Sequence, residues 1–322
     1  MIEFKKLELD EKFEKTLTPF FKSVPFGRFI LDHTMDKSNA IALELVNLKS
    51  FLKSGIVWIA LKDARVAGLI GYRYADWDSE HFGIKIGKIN YFLVSDTELD
   101  KTSIAKGLMT EYTKWVATNS IKMVMAKIDT IHFCPSLALQ QDNFVFYECI
   151  THRTLKNLDI SGETNYRYAV EADRENLVKV FNDSTFKKSH FYLDEKLDKK
   201  KVDQMYDKWI ANAFESVSEI LIIEEEGQIA GVCMFSVKDF KETFGKTIAT
   251  WEFAAISQDF RGRGLGNRLY DATIRDCHKK GADILDATLV AKNILSQRIL
   301  NNYKFELMNS YFFISFLTMT SL

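Results

Sequence analysis

The sequence predicts an α/β fold, a mixed sheet packed with helices, laid down twice along the chain. Three observations carry this reading. At 322 residues the chain exceeds one compact core and suits two domains of about 150 residues each. Apolar strand-like runs alternate with helix-spaced runs over its length. The order of those runs in the first half then returns in the second.

The elements follow in order. With 15 glycines and only Pro19, Pro25 and Pro135, few breakers interrupt long regular elements. Phe13, Leu17, Phe20 and Phe21 fall at helical spacing, as do Ile41, Leu45, Leu48 and Leu52. Residues 57–61 and 66–72 read as strands joined by the charged turn Lys62-Asp63-Ala64-Arg65, a hairpin. A strand over 89–94, a helix over 102–118 and a buried strand over 123–128 complete the first set. In the second half, helices over 173–182 and 202–214 precede a hairpin of strands 220–223 and 229–234. A strand over 250–256, a helix over 265–280, a strand over 284–290, a helix over 294–303 and a last strand over 311–316 close the chain.

The two sets align by number. Val66-Ala67-Gly68-Leu69 matches Ile229-Ala230-Gly231-Val232 at an offset of 163. At an offset of 161, Phe92 meets Phe253, Ile104 meets Leu265 and Leu108 meets Leu269. The polar stretch 158–164 is the expected boundary, giving domains 1–160 and 161–322.

Composition excludes several functions. Lys and Arg number 43 against 44 Asp and Glu, so no global field gathers nucleic acid or an anionic membrane. No basic patch is interleaved with aromatics. Cys134, Cys149, Cys233 and Cys277 have neither zinc-site spacing nor the density of a disulfide scaffold, and the six histidines are scattered. Buried free thiols and no metal are expected. No N-terminal signal appears and no apolar run nears the ~20 residues that span a bilayer. A cytoplasmic protein is expected, with oligomeric state left open and a homodimer one option.

The chemistry concentrates in one segment. The apolar run before Ser257 delivers a strand into Arg261-Gly262-Arg263-Gly264-Leu265-Gly266, and an amphipathic helix follows with Leu265, Leu269, Thr273 and Cys277 along one side. The first N–H groups of a helix have no internal partner and lie at the positive end of its dipole. Glycines let a phosphate approach without meeting a Cβ, and two arginines supply full charges. A diphosphate suits such a turn. No Gly-Lys-Ser/Thr follows, so it is not a Walker loop, and the preceding hairpin speaks against a dinucleotide fold.

Ile256-x-x-x-Phe260-Arg261-Gly262-x-Gly264-x-Gly266 resembles the acetyl-CoA loop of the GNAT superfamily of N-acetyltransferases. Asn293-x-x-Ser296, with Phe305 twelve residues after the Asn, resembles that superfamily's C-terminal motif. The resemblance implies tandem GNAT-like acyl-CoA N-acyltransferase domains with acetyl-CoA as co-substrate. It implies that Ala254, Ala255 and Ile256 offer backbone groups to pantetheine between splayed strands. Arg261, Gly262, Arg263, Gly264, Leu265, Gly266 and Asn267 would hold the diphosphate, and Asn293 and Ser296 the cofactor arm.

A narrower resemblance covers about residues 75–322. Trp77-Asp78-Ser79-Glu80-His81-Phe82-Gly83, the turn 137–144, Ser189-His190-Phe191 and Tyr206-x-x-Trp209-Ile210-x-Asn212-Ala213 look like segments of dTDP-fucosamine acetyltransferases. That implies a nucleotide-linked amino sugar as the amine acceptor. The family's general-acid tyrosine falls at Leu300 here, with Tyr303 one helical turn on, and its glycine before the final Phe is Lys304.

Acetyl transfer needs a neutral amine, an oriented thioester and a proton for the departing thiolate. Glu252 is the expected base, sharing a strand face with Ala254 and Ile256 by alternation. Tyr303 is the expected acid, and His190 and Trp251 are candidates for binding substrate; the lysines at 187–188 and 196–201 form a solvated face that could attract a diphosphate. In the first half, Gly264, Gly266 and Arg261 become Ser103, Ala105 and Asp100, so that domain is expected to be degenerate and unable to bind coenzyme A. Two other readings stay open: acetylation of another amine, such as a polyamine, amino acid or protein N-terminus, and a non-catalytic acyl-CoA-binding protein.

Overall fold

The computed structural model describes residues 1–24, 29, 35–182, 189–216 and 218–317. The lysines expected on a solvated face at 187–188 lie outside them. The chain divides into two compact units: residues 1–150 with 308–322, and residues 151–307.

The first unit runs β1 (Ile2–Lys6), α1 (Phe13–Ser23), α2 (Lys37–Leu52), β2 (Ile56–Lys62), β3 (Arg65–Tyr74), α3 (Asp76–Phe82), β4 (Ile86–Val94), α4 (Lys101–Thr118), β5 (Met123–Asp129) and α5 (Phe133–Gln141), and enters β6 (Val145–Leu155). The second continues with β7 (Arg167–Tyr168), α6 (Arg174–Asn182), α7 (His190–Leu193), α8 (Lys199–Glu215), β8 (Glu219–Glu225), β9 (Gln228–Phe240), α9 (Lys241–Phe244), β10 (Lys246–Ile256), α10 (Leu265–Lys279), β11 (Ile284–Val290) and α11 (Ile294–Asn302). The last described element is β12 (Glu306–Leu317).

Each unit is a mixed sheet built alike: an antiparallel meander (β2–β3–β4; β8–β9–β10), then a parallel partner reached through a helix (β5; β11). Both hairpin turns use two residues at positive φ, Asp63 and Ala64 in one and Glu226 and Gly227 in the other. Such turns match the twist of paired strands. α4 lies on one face of the first sheet, where Ile104 and Leu108 are fully buried with Ile70, Phe92 and Val124. α10 does the same in the second, with Leu269 and Tyr270 against Leu221, Trp251 and Leu285. α6 and α8 cover the other face through Leu177 and Ile210.

Two expectations change. The last strand does not close the second domain of residues 161–322. β12 pairs antiparallel with β5, Tyr311 opposite Asp129 through Leu317 opposite Met123, and Ile314 joins the first unit's core. A row of ladder hydrogen bonds outweighs position along the chain. In the second unit the strand beside β11 is β6, whose residues from Thr151 on belong there.

The repeat is real, but its register is not the one read from Phe92 and Phe253. Asn90 and Glu252 are the bulged residues in β4 and β10, which puts those strands at an offset of 162. Phe92 packs on the α4 face and Phe253 on the face away from α10, so they are not equivalent. Ile86 and Met123 pair as Ile248 and Ile284 do, the latter members at 161. The second unit's turn into its helix is therefore one residue shorter.

Candidate active site

β10 and β11 begin as a parallel pair, Ile248 opposite Ile284 through Trp251 opposite Ala287. Their pairing stops there, while β10 stays on β9 as far as Ile256 opposite Gly231. The strands thus part, and one edge of β10 is released over its last five residues. Ser257 N–H donates to Ala230 O at 2.9 Å. Backbone groups alternate sides along a strand. Ala255 therefore also turns its backbone toward β9, and Ala254 and Ile256 turn theirs into the split. Of the three residues expected to offer backbone groups to a cofactor arm, the register selects these two.

The split opens beside the glycine turn. After a short 3-10 turn anchored by buried Phe260, Gly262 and Gly264 adopt φ of 77° and 75°, and nothing lies within 4 Å of where a Cβ would stand. Left-handed backbone admits glycine at no cost and other residues with strain. Gly264 is the N-cap of α10, so no side chain caps that helix and its first turn holds no acid. Asp36, Asp198 and Asn293 do cap α2, α8 and α11. Asn267 N–H donates back to Gly264 O at 3.2 Å, which leaves the Leu265 and Gly266 amides at the head of α10 for an external acceptor. Gly266 has one near neighbour, Ile299 Cδ1, 3.0 Å from a built Cβ. Leu265 and Gly266 are half-buried and Asn267 is exposed.

Arginines flank the turn. Arg261 Nε donates to Ile256 O at 3.2 Å, which sets its guanidinium at the mouth of the split. Arg263 stacks on Phe260 and bonds Glu226 at 3.0 Å, with both partners about half exposed or more. An ion pair so exposed is worth at most about 1 kcal/mol, so a phosphate can displace it. Open amides, absent Cβ atoms and two guanidinium groups fit a diphosphate.

Glu252 occupies the bulge itself, where the register slips between Trp251 and Phe253. The strand face changes phase there: Trp251, Ala254 and Ile256 pack toward α10, Phe253 and Ala255 toward α6 and α8. Simple alternation of Glu252 with Ala254 and Ile256 therefore does not hold, because the bulge inserts one residue. The half-buried Glu252 carboxylate accepts from Ser218 Oγ at 2.8 Å.

The Tyr303 hydroxyl is bonded to α10. It lies 2.7 Å from Asp271 Oδ1 and 3.1 Å from Asn267 O, both on that helix. Burial, then the Asp271 carboxylate, push this phenol far above its ordinary pKa. Leu300, where the resemblance puts a tyrosine, is a core side chain. Asn293 Oδ1 accepts from Ser296 N–H at 3.3 Å and so starts α11. His190 begins the four-residue α7 and packs its ring on Phe191, 4.1 Å between centroids.

Trp251 is the last paired residue before the split. It is 7 % exposed, edge-on to Tyr270 at 4.6 Å, and its buried Nε1–H has no hydrogen-bond partner. Tyr270, which the helical spacing marks only as part of α10, brings its ring to the same place. A second omission is His152, buried against Asp286. Asp286 registers with Thr250 and Thr250 with Ser236, a polar row crossing the sheet on the face away from α10. The histidine was hidden because its strand was not foreseen.

The model of the acetyltransferase (GNAT) family matches residues 179–301. No curated protein sequence is similar to the chain. Among solved structures, a tandem GNAT protein from the clavulanic acid biosynthesis pathway is similar over 100 % of both chains, with TM-score 0.58 and 12 % identity. A GCN5-related N-acetyltransferase from Sphaerobacter thermophilus matches with TM-score 0.62 and 13 % identity, over 100 % of this chain and 98 % of its own. A GCN5-related glucosamine N-acetyltransferase region of a fungal multi-domain β-N-acetylglucosaminidase matches with TM-score 0.61 and 10 % identity, over 98 % of this chain and 38 % of its own. At such identities the likeness is one of fold, a tandem one. Among the described residues no helix is long and apolar enough to cross a membrane, and no group of three or more His, Cys, Asp or Glu could hold a metal.

Proposed function

We propose that this GNAT-family acetyltransferase holds acetyl-CoA in the second unit and moves its acetyl group to the primary amine of a nucleotide-linked amino sugar. GNAT acetyltransferases use acetyl-CoA. One observation carries the cofactor half of the reading: the open left-handed pair Gly262 and Gly264, at the head of an uncapped helix, beside the point where β10 and β11 part. The diphosphate rests on the α10 amides with Arg261 and Arg263, and Ala254 and Ile256 bond the pantetheine amides. Glu252 takes the amine proton, directly or through water. The sugar acceptor is supported by the sequence resemblance from Trp77 onward, and His190 is a candidate for its phosphates. Four free cysteines fit a reducing cytoplasm.

Titration calorimetry tests the first half. Wild type binds acetyl-CoA, and Gly264→Trp, which forces a large side chain into a left-handed position over the amides, abolishes binding. No heat with wild type, or full binding by the variant, would falsify the site. Thiol release with a panel of dTDP-amino sugars, polyamines, amino acids and peptide N-termini tests the second half. Turnover restricted to the other amines removes the sugar, and binding without turnover leaves an acyl-CoA-binding protein.

A further inference from the structure

We propose that the hydrogen-bond donor to the departing coenzyme A sulfur is Tyr270, on α10, in place of the phenol that α11 lacks. This rests on the acetyl-CoA reading above. α11 offers no phenol at the usual place, since Leu300 is 1 % exposed among core side chains. Tyr303, one turn on, spends its hydroxyl on Asp271 and the Asn267 carbonyl of α10.

Tyr270 lies beside it, the two rings stacked at 6.5 Å between centroids. Its ring stands edge-on to Trp251, the residue at which β10 and β11 part company. Ala254 and Ile256, whose backbone groups face the split, pack on the same cluster. The Tyr270 hydroxyl lies near the Ser296 side chain on α11, one turn before Leu300. A phenol carried by α10 thereby reaches the part of α11 from which the family's tyrosine would project. Beside it, the buried Trp251 indole N–H waits without an acceptor. Buried donors are seldom left so unless something polar completes them.

The step balances without a further reagent. The amine nitrogen forms the C–N bond, the C–S bond breaks and its electron pair goes to sulfur, and the amine proton goes to Glu252 or water. Tyr270 donates a hydrogen bond to the sulfur as charge develops there, and the thiolate takes its proton from solvent on release. Burial raises this phenol to about 12, so it keeps its proton throughout and acts as a donor.

The test uses free coenzyme A and needs no acceptor. Near-ultraviolet absorbance follows ionisation of the bound thiol in wild type, Tyr270→Phe and Tyr303→Phe. A donor at sulfur favours the thiolate. The expected result is a bound thiol whose ionisation constant falls about tenfold in Y270F, with affinity for coenzyme A and melting temperature kept, since the ring remains. Equal titration curves for wild type and Y270F, or a shift confined to Y303F, overturn the assignment. Failure of wild type to bind coenzyme A overturns it together with the cofactor site, a result that calorimetry separates from the other two.

Discussion

Glu252 owes its position to a single inserted residue. A bulge bends the strand, frees one residue from the ladder and re-aims its side chain. At Trp251–Phe253 it does this one step beyond the last β10–β11 pair, and it leaves the carboxylate held by Ser218 Oγ. The proposed base is thereby held by one hydroxyl contact and keeps lone pairs with which to take a proton. Glu252→Gln keeps the shape and the Ser218 contact but removes the basicity. It should cut kcat with the best acceptor by roughly 10²–10⁴-fold while acetyl-CoA affinity stays within twofold. A loss under threefold would mean that water alone deprotonates the amine. The residue type was legible in the sequence and its surroundings were not, because a bulge exists only once the register with β9 is set. The glycine turn differs: left-handed residues and flanking arginines are local chemistry, readable without the rest of the chain.

At the scale of elements, long helices and apolar strands were legible because their periodicity is local. β6 was not. Its buried face carries Glu148, His152 and Thr154, so the usual alternation of apolar and polar residues is missing. The short helices α3 and α5 lack an apolar stripe long enough to count. β12 is legible as a strand but its partner is not, since pairing is a long-range choice. Phe312 on β12 meets Phe146 edge-on at 5.2 Å, and Asn309 donates to Asp129 at 2.8 Å. Ile314 is 3 % exposed in the core beneath α4. Ile314→Ala should therefore cost about 2–5 kcal/mol, and the loss should appear as faster hydrogen exchange at the β5 amides. Unchanged β5 protection with faster exchange at β11 instead would return β12 to the second unit.

At the scale of the whole molecule, two copies of one unit raise the question of how many cofactors the chain holds. Both copies keep the bulge, and both keep a parallel pair that ends early, at Ile89 opposite Ala126 in the first. The difference lies in the turn that follows. Where the second unit has two left-handed glycines and two arginines, the first runs Ser95-Asp96-Thr97-Glu98-Leu99-Asp100, with no residue at positive φ. Lys62 answers these acids, at 2.8 Å from Asp100 and 3.0 Å from Glu98, and Lys101 lies 3.0 Å from Asp96. Lys62 holds the Asp100 carboxyl below its ordinary pKa, so the turn stays anionic at neutral pH. A diphosphate brought there meets carboxylates instead of guanidinium groups, and like charges repel. The cations already present are spent on neighbours. The chain should bind one acetyl-CoA, and calorimetry should return a stoichiometry near one per chain. Gly264→Trp then removes all binding and leaves no weaker second phase. Two sites in wild type, or a residual site in the variant, would mean that a split strand pair holds the cofactor without the glycine turn.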